Sequence, residues 1–193
     1  MTTKTDNHAE ERAAAQYSSI VEMLAAVEVD YDRLAELREE REELTEAVTE
    51  AADAHKEAQD SRTGDVDTWH ELEDARKALT EWTEENAEEL AELEEAAGDC
   101  DDEEDARQRI SEGPLSVEVR SDWASPGEEL TAGEFRILLC TGGPAVRIRG
   151  ELDRGEPCRA WLEFQDWGTP WTQYFGASSD TMCQYASHFF SGE

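Results

Sequence analysis

The sequence is short of positive charge. Among its 193 residues, 17 are Lys or Arg and only Lys4, Lys56 and Lys77 are lysine, against 49 Asp and Glu, a formal charge of −32. Gripping phosphates or an anionic membrane takes clustered Lys and Arg, so direct binding of nucleic acid or membrane is not the expected function. Long apolar runs are also missing. No stretch reaches about 18 apolar residues, and Met1 to Glu11 lack a basic start followed by an apolar core, so a soluble, unprocessed cytoplasmic chain is expected.

Chemical motifs are equally scarce. Cys100, Cys140, Cys158 and Cys183 form no CxxC pair, and His8, His55, His70 and His188 are scattered, so no metal or other cofactor is expected. The cysteines read as reduced and mostly buried. His188 with Cys140 or Cys183 sketches a nucleophilic site, but no GxSxG elbow accompanies it. Gly142-Gly143 lacks the GxGxxG and Walker patterns, and Pro144 stands where a phosphate-binding helix would begin, which leaves turn glycines. No catalytic residue is assigned, and a binding protein rather than an enzyme is expected.

Proline is absent from residues 1–113, and all five prolines lie in 114–193. The charge divides at the same place: 37 acids and 11 bases before Gly113-Pro114, net −26, and 12 acids and 6 bases after it, net −6. In the first part Tyr17, Ile20, Leu24, Val27, Tyr31, Leu34, Leu44 and Val48 recur at three- and four-residue steps, predicting one amphipathic helix from about Ala13 to Gln59. Asp60-Ser61-Arg62-Thr63-Gly64-Asp65 reads as a turn. Trp69, Leu72, Leu79, Trp82, Leu90 and Leu93 then resume the spacing to Ala97, with Gly98 as the stop. Arg38, Arg41, Arg76 and Asn86 interrupt the seams, so some polar seam contacts are expected. A short third helix is expected over Asp101–Ile110.

After Pro114 the period becomes two. Leu115, Val117 and Val119 alternate with Ser116, Glu118 and Arg120, and Phe135 to Thr141 is a short apolar run. Val146, Ile148 and Leu152 alternate with Arg147, Arg149 and Glu151, and Ala160, Leu162 and Phe164 with Arg159, Trp161 and Glu163. Turns at Thr141-Gly142-Gly143-Pro144 and Arg154-Gly155-Glu156-Pro157 imply an antiparallel meander, and Ser179 or Asp180 opens a final helix through Phe189. The expected fold is α+β. Residues 1–12 form a disordered N-terminus, 13–113 an acidic helical hairpin with a short third helix, and 114–193 an antiparallel sheet plus C-terminal helix.

Five of the six bases after Pro114, Arg120, Arg136, Arg147, Arg149 and Arg159, fall on expected strands. Pairing with Glu118, Glu151 and Glu163 across strands, or with the acidic hairpin, is favoured over an anion grip. Trp167 and Trp171 flank a turn, and either plug a small sheet or offer an apolar hot spot to a partner.

Between Lys77 and Arg107 there is no base, while 14 of the 29 positions are acidic. At ~100° per residue, Glu81, Glu84, Glu85, Glu88, Glu92 and Glu95 share one sector of about 100°, opposite Leu79, Leu90 and Leu93. The candidate partner-binding face adds Asp101, Asp102, Glu103 and Glu104. Eight acids over 81–95 give one charge per ~2.8 Å, between the ~1.7 Å of duplex DNA and the ~3.4 Å of one strand. Like charges at i,i+4 destabilise a helix by roughly 0.2–0.5 kcal/mol each, so something else must favour this surface.

This acidic helical surface resembles the DNA-mimic inhibitors encoded by phages and mobile elements, which include antirestriction and anti-CRISPR proteins. The likeness covers mainly residues 13–105. Leu138 to Ile148 and Gln165 to Trp171 look like a family of acidic phage and mobile-element proteins to which no activity is attached, so no catalytic residue carries over. The resemblance implies an inhibitor that occupies the basic groove of a nucleic-acid-binding protein of a host defence complex. A coiled-coil adaptor or structural protein, including a homodimer held through the hairpin, is the first alternative. An enzyme is the second, and a salt-adapted surface is opposed by the milder charge after Pro114.

Overall fold

The computed structural model describes residues 5–61, 66–121 and 123–190. The fold is α+β, as expected, with five helices and one five-stranded antiparallel sheet among the described residues. Two compact units share the chain. One comprises residues 1–28 and 100–193, the other residues 29–99. Among the described residues no helix is long and apolar enough to cross a membrane.

In the first unit, β1 (Ser116–Ser121), β2 (Ala132–Cys140), β3 (Ala145–Asp153), β4 (Glu156–Gln165) and β5 (Thr172–Gln173) form a meander in sequence order. The two-residue alternation sends Phe135, Ile137, Leu139, Val146, Ile148, Ala160 and Leu162 to one face, where all are buried. Helices α1 (Thr5–Val27), α4 (Glu103–Glu112) and α5 (Ser179–Phe190) supply the rest of this core with Ile20, Ile110, Met182 and Tyr185. The turn between β3 and β4 needs positive φ at both central residues, and Arg154 and Gly155 adopt 54° and 90°. Gly150 makes room for a ring: a Cβ there would lie 2.3 Å from Phe135, its cross-strand partner.

The second unit is a helical hairpin of α2 (Tyr31–Asp60) and α3 (Val66–Ala97). Arg33 meets Glu89 near one end and His55 meets Thr68 near the other, which fixes the antiparallel sense. Leu34, Leu37, Leu90 and Ala97 are buried together, with Tyr31, Trp82 and Leu93 packed against them. Expected polar seam contacts are present at Arg38 and Arg41, which lie 3.4 and 3.6 Å from Glu94, and Trp82 Nε1 donates across the seam to Glu40 at 2.8 Å; Asn86 instead bonds within α3, its amide donating to the Trp82 carbonyl at 3.0 Å. Gly98, at φ 58°, ends α3, and its N–H donates to the Glu94 carbonyl.

Three expectations are corrected. The helix expected from Ala13 to Gln59 is two helices, interrupted between Val27 and Tyr31. Asp30 caps α2 by accepting the Arg33 N–H at 3.0 Å. The apolar rhythm runs through the break because Tyr17, Ile20 and Leu24 serve the sheet core while Leu34 serves the hairpin. Second, helix begins at Thr5 in the segment expected to be disordered, and Ala9 and Ala13 are buried, since alanines one turn apart let α1 pack closely. Third, the compact units part at residues 28/29 and 99/100, not at 113/114; α4 belongs with the sheet. Of the expected turn, Arg62 to Asp65 lie outside the described residues.

Candidate functional site

The unit boundary concentrates the charge further. Residues 29–99 hold 26 acids and 7 bases, net −19 in 71 residues, whereas the other unit carries −13 in 122. Within α3 the acids fall into two groups according to their place around the helix. Glu89 and Glu94 flank the apolar seam and meet α2: Glu89 receives two hydrogen bonds from Arg33, and Glu94 lies 3.4 Å from Arg38 and 3.6 Å from Arg41. Hydrogen bonding to Arg33 holds the Glu89 carboxyl below its ordinary value.

The outer stripe differs. Glu81, Glu84, Glu85, Glu88, Glu92 and Glu95 are all exposed, and Glu81 alone forms an ion pair among the described residues, with Lys77 at 3.6 Å. Glu84, Glu85, Glu88, Glu92 and Glu95 therefore stand as five uncompensated carboxylates over ~18 Å of helix, one per ~3.6 Å. That matches the ~3.4 Å spacing of one DNA strand more closely than the count of all eight acids, because Glu81 and the two seam acids are paired.

Asp101, Asp102, Glu103 and Glu104 are exposed too, but they sit in the sheet unit and have local roles. Asp102 caps α4 by accepting the Asp105 N–H at 2.8 Å, and Glu103 pairs with Arg107 at 2.6 Å. Acids in a first turn suit the helix dipole, which accounts for Glu103 and Glu104 as the cap accounts for Asp102.

Trp167 is 78 % exposed, yet its indole lies on the turn before β3. Nε1 donates to the Gly142 carbonyl at 3.3 Å, and a Cβ on Gly143 would come within 1.6 Å of that nitrogen. Trp171 is half-buried, with the Arg147 guanidinium 3.9 Å above its ring. One indole is thus presented to solvent against the turn before β3, and the other packs on an arginine.

The sheet face away from the helices carries the five arginines in a lattice with carboxylates. Arg136 pairs with Glu118, Arg147 with Glu163 at 2.7 Å, Arg159 with Glu151 at 3.9 Å, and both Arg120 and Arg149 with Glu134. Cross-strand pairing, the favoured expectation, is what the structure contains. Glu134 was missed by sequence reasoning, although its alternation with Phe135 gave the signal. Arg120, then Arg149, hold its carboxyl low. A cavity of about 590 Å³ opens over Glu118, Arg120, Glu134, Arg136, Arg147 and Arg149, and every charge around it has an opposite partner.

No three His, Cys, Asp or Glu side chains gather for a metal among the described residues. All four cysteines are free thiols, but only Cys100 is buried; Cys140 and Cys183 are half-buried and Cys158 is exposed, which corrects the expectation that they are mostly buried. Burial pushes the Cys183 thiol up, away from a reactive thiolate. No protein family model, curated protein or solved structure matches the chain.

Proposed function

We propose that the α3 stripe is a docking face for the basic, nucleic-acid-binding groove of another protein, and that the protein is a nucleic-acid-mimicking inhibitor. The observation that carries the reading is the division of acids on one helix. Glu89 and Glu94 are compensated by arginines from α2, while Glu84, Glu85, Glu88, Glu92 and Glu95 repeat at the spacing of a phosphate row with no ion pair among the described residues. Such a row attracts a basic groove at long range and releases its counterions on docking, giving fast, salt-sensitive association. The resemblance to phage and mobile-element inhibitors makes a host defence complex, of the CRISPR or restriction type, the partner class. Trp167 supplies an apolar contact from the sheet unit.

The test is a pull-down from host lysate at low and high salt, followed by competition with duplex DNA or RNA for the protein recovered. Binding that salt weakens, that nucleic acid competes away and that the Glu84→Lys, Glu88→Lys, Glu92→Lys, Glu95→Lys variant loses supports the proposal. A neutral or acidic partner, or unchanged binding by the variant, contradicts it.

An adaptor is the second reading. The hairpin leaves Val66 66 % and Trp69 47 % exposed in the first turn of α3, an apolar end that a partner helix could cover. Loss of binding on Trp69→Ala with the stripe variant still bound selects this reading.

A further inference from the structure

The two edges of the sheet are unlike. β5 is two residues long, whereas β1 offers six residues with no Lys or Pro among them, and its pairing with β2 runs in register from Ser116 to Arg120 and shifts only at Ser121. Register places Val117 opposite Ile137 and Val119 opposite Phe135, on the helix-covered face of the sheet. Ile137 and Phe135 are buried, but Val117 is 39 % and Val119 57 % exposed, and Leu115, two residues earlier on the same face, is 60 % exposed. The helical cover ends at β2, so the apolar face of the edge strand lies open.

The other face of β1 carries Glu118 and Arg120, and their order is self-complementary. When two copies of Val117-Glu118-Val119-Arg120-Ser121 pair antiparallel about Val119, Glu118 of each faces Arg120 of the other, and the two Val119 side chains meet at the dyad. Centring the pairing one residue either way instead opposes Glu118 to Glu118 or Arg120 to Arg120, like charges that destabilise a pair. The favoured register also continues the existing lattice. Arg136 already pairs with Glu118, and Arg120 with Glu134, so the row across the seam reads Arg136, Glu118, then Arg120 and Glu134 of the second copy.

We propose that the free edge of β1 is the seam of a homodimer, in which a second copy of this chain adds antiparallel about Val119. Backbone hydrogen bonds join two five-stranded sheets, the two Leu115-Val117-Val119 strips become one apolar surface, and alternating charges set the register. This inference is independent of the hairpin's reading.

Sedimentation velocity tests it. The wild type is expected at twice 21.7 kDa across the micromolar range. Glu118→Arg and Arg120→Glu, each alone, put like charges opposite one another, and each is expected to halve the sedimenting mass. Mixing the two variants sets an edge strand with two arginines against one with two glutamates, so opposite charges meet again at both positions and the doubled mass returns. Circular dichroism monitors folding. Should either variant unfold, Val119→Lys, at a position exposed in the monomer, sets two ammonium groups face to face and must halve the mass. A monomeric wild type, variants that stay dimeric, or folded variants that fail to reassociate on mixing would overturn the seam.

Discussion

Arg33 on α2 grips Glu89 on α3 in a fork, Nε to Oε1 at 3.1 Å and Nη2 to Oε2 at 3.0 Å. The pair ties the two helices beside the buried Leu34, Leu37 and Leu90, and its hydrogen bonds hold the Glu89 carboxyl below its ordinary 4.5. A depressed carboxyl stabilises the folded state above its unfolded value and ceases to do so as pH falls through the folded value. Arg33→Met should therefore lower the urea midpoint of hairpin unfolding at pH 7, and the gap from wild type should close in acid. An equal gap at both pH values would contradict this role.

Glu88 has acidic neighbours at both i−4 and i+4, Glu84 and Glu92, and forms no ion pair among the described residues. Glu88→Gln removes two like-charge contacts, each worth about 0.2–0.5 kcal/mol, so the variant is expected to melt higher while binding its partner less well. A lower melting temperature would show that the stripe has a folding role. A surface that costs stability and is needed for binding is what the proposed function requires.

Leu37 is fully buried in a hairpin cluster with only three other buried residues, Leu34, Leu90 and Ala97. Leu37→Ala is expected to cost about 2–5 kcal/mol, enough to reduce the hairpin's helical signal well below room-temperature saturation. Circular dichroism melts read the effect directly.

Tyr185 lies fully buried between α4 and the sheet with a hydroxyl that finds no partner among the described residues. Burial pushes its pKa up to about 12 from 10. A phenol raised in the fold contributes stability below its unfolded pKa and loses it as pH climbs from 10 towards 12. Tyr185→Phe should be neutral or stabilising at pH 7, because it removes an unsatisfied polar atom, and should flatten the loss of stability in that alkaline window. A destabilised variant at pH 7 would reveal a hydrogen bond to that hydroxyl.

Gly143 is where the Trp167 indole rests, and its φ of 81° also disfavours a side chain. Gly143→Ala is expected to dislodge the indole, shifting tryptophan emission and weakening partner binding, with the sheet core retained. If emission and affinity both stay at wild-type values, the indole does not rest there or does not reach the partner.

Much of the architecture was legible in the sequence for reasons specific to its residues. The two-residue rhythm from Phe135 to Phe164 gave the strands because one sheet face is buried and the other is an Arg-Glu lattice. Gly98 gave the end of α3. The break at Glu28 to Asp30 was not legible from periodicity, since two different cores were fed in the same helical phase; the local signal was Asp30 as a cap three residues before Arg33. The openness of Val117 and Val119 was hidden because alternation reports which face a residue takes, and only tertiary packing decides whether that face is covered. The stripe was legible as a sector of one helix. Its division into paired and unpaired acids depended on Arg33, Arg38 and Arg41 lying across the seam.

The most direct test is a competition titration with the partner recovered from host lysate. Duplex DNA or RNA is added to the preformed complex, and bound protein is read by anisotropy at two salt concentrations. Displacement by nucleic acid, weaker affinity at higher salt and loss of affinity in the Glu84→Lys, Glu88→Lys, Glu92→Lys, Glu95→Lys variant are the expected results. A complex that nucleic acid cannot displace, or one that the variant forms with wild-type affinity, contradicts mimicry.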